Sequence, residues 1–313
     1  MVERNSNFAK LQSGYLFPEI NRRRREVEAA NPGKRIISLG IGNTTEPLTP
    51  GITESLVDAA RGMGIPEGYS GYGDEQGRQE LREAIADRFY QGRVKPSEVF
   101  VSDGAKCDVG RLQLLFGAAA EVAVQDPSYP VYVDGSVIAG NTGGFDPSTG
   151  QFHGITYMPC TPENRFFPHI DEVPDADLIY ICSPNNPTGA VATRSQLRDV
   201  VAKAAEQRSI ILFDAAYAAF IRDADLPRSI FEIEGARNVA IEINSFSKPA
   251  GFTGLRLGWT VVPEELTYDD GTPVAPDWNR VMTTVFNGAS NVVQSAGLGA
   301  LTDAGYREMR QTV

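Results

Sequence analysis

Histidine is nearly missing from this chain: only His153 and His169 occur in 313 residues. Each sits in a glycine- or proline-flanked, loop-like setting. That argues against a histidine-based nucleophile triad or a histidine-rich metal centre, and no metal site is expected. Cysteine is also scarce. Cys107, Cys160 and Cys182 are scattered, which fits a reducing compartment and gives no disulfide framework. Positive charge is in deficit: 29 Lys and Arg against 40 Asp and Glu leave a net charge of −11. This argues against nucleic acid or anionic membrane as a partner, since both need basic surface. No apolar run approaches the ~20 residues needed to cross a bilayer. The opening "MVERNSNFAK" has neither the apolar core of a secretory signal nor the acid-poor character of a transit leader. A cytoplasmic protein is expected.

What is present is an alternation of short apolar strands and helices. The strand candidates are "EVFVS" (98–102), "EVAVQD" (121–126), "ITYMP" (155–159), "DLIYICS" (177–183), "SIILFD" (209–214), "NVAIEIN" (238–244) and "RLGWTVV" (256–262). Most are continuous apolar runs, the pattern of strands covered on both faces in a parallel sheet. Between two of them, "TRSQLRDVVAKAAEQR" (193–208) starts with a Thr193/Gln196 capping box and carries Leu197, Val200, Val201 and Ala204 at helical period. Strand, helix, strand at this spacing is a βαβ unit. Residues 20–30, "INRRRREVEAA", read as a solvated charged helix. The tail from 291 reads as one helix with Ala296, Leu298, Leu301 and Met309 among its apolar positions.

In an open α/β sheet, ligands bind beyond the carboxyl ends of the strands. Five candidate strands are followed there by "DGAKCD", "PSYP", "PNNPTG", "AAYAAF" and "SFSK". Five polar, glycine-rich or aromatic ends on one edge point to a single site. A dinucleotide site is excluded, because "LGIGNTT" lacks the third glycine of a G-x-G-x-x-G turn.

Lys248 can be a surface cation or a Schiff-base nucleophile. Ser245, Ser247 and Arg256 around it form a good set for a phosphate dianion. The helix after "DGAK", with apolar positions at Val109, Leu112 and Phe116, adds N–H groups as a second wall. A phosphate pocket beside a lysine points to pyridoxal phosphate. Its ring nitrogen needs a buried carboxylate, and Asp214 ends the apolar run "SIILF"; a turn or helix-cap role is the alternative for that residue. Tyr217 and Asn186 can donate to the phenolic oxygen. Tyr129, held between prolines, can stack on the ring or be core packing.

The combination "SPNNPTG", "FDAAY", "SFSK" and "GLRLG" resembles the fold-type I pyridoxal-phosphate enzymes of the class I/II aminotransferase superfamily. The resemblance implies an α/β fold with a mostly parallel central sheet flanked by helices, plus a small α+β domain. By the same resemblance, Lys248 carries the Schiff base and moves the proton. Asp214 pairs with the pyridine nitrogen, and Asn186 and Tyr217 hold the phenolic oxygen. Ser245, Ser247, Arg256, Ala105 and Lys106 hold the phosphate. Tyr72, in "GYSGYGDEQG", is similar to a tyrosine that reaches the phosphate of a second subunit, which implies a homodimer.

Longer runs, "NSNFAKLQSGYLFPEI" (5–20), "SDGAKCD" (102–108) and "VQDPSYPVYVD" (124–134), resemble the LL-diaminopimelate aminotransferases over essentially the whole chain. That resemblance implies reversible amino transfer between LL-2,6-diaminopimelate and 2-oxoglutarate, in lysine biosynthesis. It assigns Tyr15, Gly42, Lys106, Tyr129, Asn186 and Asn291 to the substrate. The far end of that substrate adds an ammonium group, for which Asp74 and Glu75 are the candidate acids; Glu75 is favoured, with a solvated loop pair as the alternative. Residues 1–48 are expected to form an N-terminal arm and part of the small domain, 49–290 the cofactor domain, and 291–313 the start of a linker helix. Family members continue further, through the rest of the small domain and the arginine that clamps the substrate carboxylate, so this small domain is expected to be incomplete. Another aminotransferase or carbon–sulfur lyase on the same cofactor, and a non-catalytic cofactor-binding remnant, are the competing readings.

Overall fold

The computed structural model describes residues 2–11, 16–37 and 42–313. Its strands are β1 (Val99–Ser102), β2 (Val122–Asp126), β3 (Phe145–Asp146), β4 (Gln151–Phe152), β5 (Ile155–Pro159), β6 (Leu178–Cys182), β7 (Ile210–Asp214), β8 (Ala240–Ser245) and β9 (Gly258–Val261). The helices are α1 (Leu16–Ala30), α2 (Pro50–Gly62), α3 (Gln79–Tyr90), α4 (Ala105–Leu112), α5 (Val131–Ala139), α6 (Arg194–Gln207), α7 (Val274–Val285), α8 (Asn291–Leu301) and α9 (Asp303–Thr312).

Seven strands form one sheet in the order β1-β9-β8-β7-β6-β2-β5. All seven apolar runs of the sequence are in it. Pairing is parallel from β8 through β7, β6 and β2 to β5, and antiparallel on both sides of β9. Because β1 and β8 both oppose β9, they run the same way. Six strands therefore end on one edge, and β9 begins there. The small β3–β4 pair is a separate antiparallel ribbon that two-residue strands did not announce.

Side chains alternate between two cores, as period-2 strands require. Val99, Val101, Ile211 and Phe213 face one core, with Leu197, Val200, Val201 and Ala204 of α6. Phe100, Ile210 and Leu212 face the other, with Val109 and Leu112 of α4 and Trp278 and Met282 of α7. Trp259, Phe213 and Leu81 are fully buried; each such side chain contributes about 1.5–3 kcal/mol relative to exposure. The capping box of α6 forms as expected, Thr193 accepting from Gln196 N–H. The charged helix is α1, solvent-exposed and laced by Glu19–Arg22 and Glu19–Arg23 pairs.

Two helix readings change. The helix after "DGAK" stops at Leu112, so Phe116 lies beyond it. The tail is two helices, not one. Thr302 is extended at ψ 161, and its hydroxyl accepts from Gly305 N–H to cap α9. Gly299 and Gly305 allow the corner, because a Cβ on Gly305 would lie on the Gly299 carbonyl. Ala296, Leu301 and Met309 remain buried across it. Among the described residues no helix is long and apolar enough to cross a membrane.

Candidate active site

The strand ends expected to share an edge do share it, and the antiparallel β9 adds a sixth group. By beginning where the others end, β9 brings Arg256 and Gly258 to the same place as Ser102 and Ser245; Gly258 pairs with both serines.

Lys248 lies in the loop from β8 to β9. It lines a cleft of about 270 Å³ with Gly42, Tyr217, Phe220 and Thr312. Its Nζ donates to the Gly42 carbonyl and lies 5.5 Å from the Tyr217 ring centroid. Burial, and then the Arg256 charge, lower its proton affinity. A lysine so placed spends more time as the neutral nucleophile than a surface lysine does. Asn186 Nδ2 lies 3.5 Å from the Tyr217 hydroxyl oxygen, so the two expected phenolate donors do meet.

Asp214 is 6% exposed at the end of β7. Its Oδ1 accepts from Ala216 N–H at 3.0 Å, and its Oδ2 from the Tyr132 hydroxyl at 2.7 Å. The Asx-type turn of the alternative reading is thus present, but it uses only one oxygen. Both donors are neutral, and burial raises the proton affinity of the carboxyl. Such a group is stabilised as a carboxylate by a cationic N–H arriving at the edge. Tyr132 was not singled out in the sequence. It is buried, stacked on Tyr180 at 4.9 Å and set edge-on to Tyr129 at 5.9 Å. The available signal was its place one helical turn after Tyr129.

On the phosphate side, Arg256 Nη1 lies 3.4 Å from Ser247 Oγ. Arg256 has a left-handed backbone, φ 67, a conformation that costs a non-glycine residue on the order of 1 kcal/mol and clusters at functional sites. Ser245 is buried; its hydroxyl accepts from Ser247 N–H at 3.0 Å and donates to the Leu257 carbonyl at 3.4 Å. It braces the loop that carries Ser247. Gly104 precedes Ala105 at φ 123, and a Cβ there would lie 2.5 Å from Arg256 Nη2. The α4 start and the guanidinium therefore close on each other only because position 104 has no side chain. Lys106 Nζ lies 5.9 Å from the Tyr129 ring centroid. Beneath them Asp108 is fully buried and its proton affinity is raised by burial, to about 6.

Three other expected residues gather elsewhere. Asn291 Nδ2 donates to Ser70 Oγ and the Gly71 carbonyl. Tyr72, Asp74 and Asn291 line a second, open cleft at the start of α8. Tyr72 is 95% exposed and Glu75 is also exposed. Gly42 meets Lys248, whereas Tyr15 lies outside the described residues.

These groups fit pyridoxal phosphate. A half-buried lysine of lowered proton affinity, a buried carboxylate with neutral donors, and a glycine-made gap under a guanidinium stand on one edge. Comparison with known proteins agrees. Residues 34–313 match the family model "Aminotransferase class I and II". The chain is 57% identical over 307 residues to LL-diaminopimelate aminotransferase of Protochlamydia amoebophila, covering 98% of this chain and 75% of that one. It is 55% identical to the chloroplastic enzyme of that name from Arabidopsis thaliana, covering all of this chain and 68% of the relative. The solved structure of the L,L-diaminopimelate aminotransferase of Chlamydomonas reinhardtii superposes with a TM-score of 0.95 at 56% identity, over 99% of this chain and 76% of that one.

Proposed function

Because the chain belongs to the class I and II aminotransferase family, we propose that it transfers an amino group between LL-2,6-diaminopimelate and 2-oxoglutarate, within lysine biosynthesis. The chemistry rests on one observation: Lys248, Asp214 and Arg256 converge on the carboxyl edge of the sheet. The choice of substrate rests on the relatives of that name, 55–57% identical to this chain. When bound, pyridoxal phosphate would supply an electrophilic aldehyde carbon, which carries the amino group, and an electron-withdrawing ring.

The residues of the chain do the rest. Lys248 Nζ, lowered in proton affinity by burial and by Arg256, takes and returns the proton at the substrate α-carbon. Asp214 keeps a proton on the ring nitrogen, and its buried setting strengthens that pairing. Asn186 and Tyr217 donate to the phenolic oxygen. Ser247, Arg256 and the N–H groups of Ala105 and Lys106 hold the phosphate, with Ser245 bracing them. Tyr129 covers the ring face.

The second cluster belongs to the same reading through a homodimer. Tyr72, 95% exposed, lines the same cleft as Asn291 and would complete the phosphate site of a second copy. Glu75, the acid favoured for the distal ammonium of the substrate, travels with it. In this reading residues 49–290 form the cofactor domain, with 1–48 and 291–313 belonging to the small-domain side; limited proteolysis tests that division. A cytoplasmic setting is part of the proposal, supported by three free thiols and tested by fractionation.

The deciding experiment is the visible absorption of the purified protein with pyridoxal phosphate, before and after LL-diaminopimelate. A cofactor band that shifts with this substrate and is absent in Lys248→Ala is expected. A band unmoved by LL-diaminopimelate but moved by another amino acid would overturn the substrate, and a band moved by none would leave a cofactor-binding protein only.

A further inference from the structure

Asp108 lies in the first turns of α4, on the side facing β1 and β9. Its carboxylate is 0% exposed. One oxygen, Oδ2, accepts from the Ser102 hydroxyl at 2.6 Å and the Thr260 hydroxyl at 2.8 Å. The other, Oδ1, accepts from Arg111 Nη1 at 3.1 Å. Ser102 ends β1 and Thr260 lies in β9, so one carboxylate ties the helix to two neighbouring strands at the site's edge. The tie reaches the helix start directly, because Ser102 Oγ also accepts from Gly104 N–H at 3.2 Å. Arg111 closes the set by donating to Asp103 at 2.7 Å. Nothing else offers much tolerance: a Cβ on Gly258 would lie 2.8 Å from Gly104 Cα and 2.9 Å from Ala105 N.

A buried charge of this kind is expensive, and a packed apolar residue would hold the helix as firmly. What an apolar residue would not do is fix the direction of the first N–H groups, because hydrogen bonds are directional and dispersion contacts are not. We infer that Asp108 is a positioning residue for the cofactor phosphate, acting through the backbone of Gly104 to Lys106 and not by contact with the ligand. This rests on the reading that pyridoxal phosphate binds at this edge with its phosphate against the α4 start.

The test separates the phosphate from the rest of the cofactor. Dissociation constants of pyridoxal phosphate and of pyridoxal, which lacks the phosphate, are measured by absorption for the parent, Asp108→Ala and Asp108→Asn. Competition by inorganic phosphate is measured alongside. Asp108→Ala is expected to weaken pyridoxal phosphate about 10-fold or more, the scale of a lost hydrogen bond to a charged group. Pyridoxal is expected to change less than about twofold by the same scale, and phosphate to lose its competition in proportion. Asp108→Asn, whose oxygen can face Arg111 and whose NH2 can face the two hydroxyls, is expected to recover most of the loss. Equal weakening of both ligands, or of neither, would overturn the inference. Should Asp108→Ala not fold, Thr260→Val and Ser102→Ala each remove one tie, and an unchanged ratio in both would overturn it equally. A parent that binds no pyridoxal phosphate would sink the underlying reading and this inference with it.

Discussion

The Tyr132 hydroxyl donates to Asp214 Oδ2 at 2.7 Å, from a ring stacked on Tyr180, whose own hydroxyl accepts from Gln113. Burial drives the Asp214 carboxyl toward its neutral form, and the Tyr132 hydrogen bond opposes that. Tyr132→Phe removes the opposition and leaves Ala216 N–H as the remaining donor. The expected result is about a 10-fold fall in kcat, with little change in Tm because the ring stack survives. Steady-state kinetics with a thermal melt checks this; an unchanged kcat would show that the cofactor alone fixes the charge of Asp214.

Gly104→Ala tests the gap under Arg256. The substitution sets a side chain at φ 123 and 2.5 Å from the guanidinium. Backbone strain of this kind costs about 1–3 kcal/mol, and Arg256 must also move. A lower Tm and at least about 10-fold weaker pyridoxal phosphate binding are expected. Titration of the apo-protein reads the binding, and parent-like affinity would separate Arg256 from the phosphate.

Arg256 also acts on Lys248 at a distance. Burial lowers the lysine's proton affinity first, and the Arg256 charge lowers it further. Arg256→Gln removes the second effect, so the pH midpoint for cofactor capture by the apo-protein should move upward. A midpoint that stays put would mean that burial acts alone, and one that moves down would overturn the assigned effect of Arg256.

Glu242 gives the stability profile. It is fully buried, and accepts from Tyr90 at 2.8 Å, Ser229 at 2.6 Å, Ile230 N–H at 3.1 Å and Asn244 at 3.5 Å. Burial raises its proton affinity from 4.5 to about 7. The protonated form is therefore favoured by the fold. Its contribution is complete below 4.5 and is lost as the pH rises through about 7. Glu242→Gln should flatten that part of the profile, removing up to about 1.4 kcal/mol per pH unit. Urea melts between those limits measure the slope; a variant as steep as the parent would locate the titration elsewhere.

The sheet was legible in the sequence because its strands are covered on both faces. "SIILFD" and "DLIYICS" carry no polar alternation, and β7 and β6 lie in its interior. The direction of β9 was not legible, since an apolar run reads the same for either orientation. The corner at Thr302 was hidden because apolar positions continue at helical period across it. Among site residues, Lys248, Asn186, Asp214 and Tyr217 stood out as polar groups at or just past the ends of apolar strands, and Arg256 as a cation just before one. Tyr132 did not, because a tyrosine in "VYVD" has the look of core packing. Nor did Asp108, because an acid in a helix's first turns usually caps or faces water. The resemblance assigned Asn291 to the substrate and Tyr72 to the phosphate of a second subunit; with Asp74 they line a cleft of their own, for which strand-end logic has no rule.

The antiparallel β9 bears on how the site comes into being. The β8–β9 connection carrying Lys248 and Arg256 joins neighbouring strands, so that half of the phosphate cup can form from local chain. The other half hangs on β1, and Asp108 meets Thr260 across 152 residues of sequence. Closing so distant a pair carries most of the loop entropy and sets the slow end of the folding rate. Competence to capture cofactor should therefore appear in refolding together with that distant closure and with the burial of Trp259, whose indole N–H donates to the Tyr90 hydroxyl across 169 residues. Stopped-flow Trp fluorescence followed in parallel with cofactor absorbance would test this, and capture well before the fluorescence change would show that the local β8–β9 half of the cup is enough.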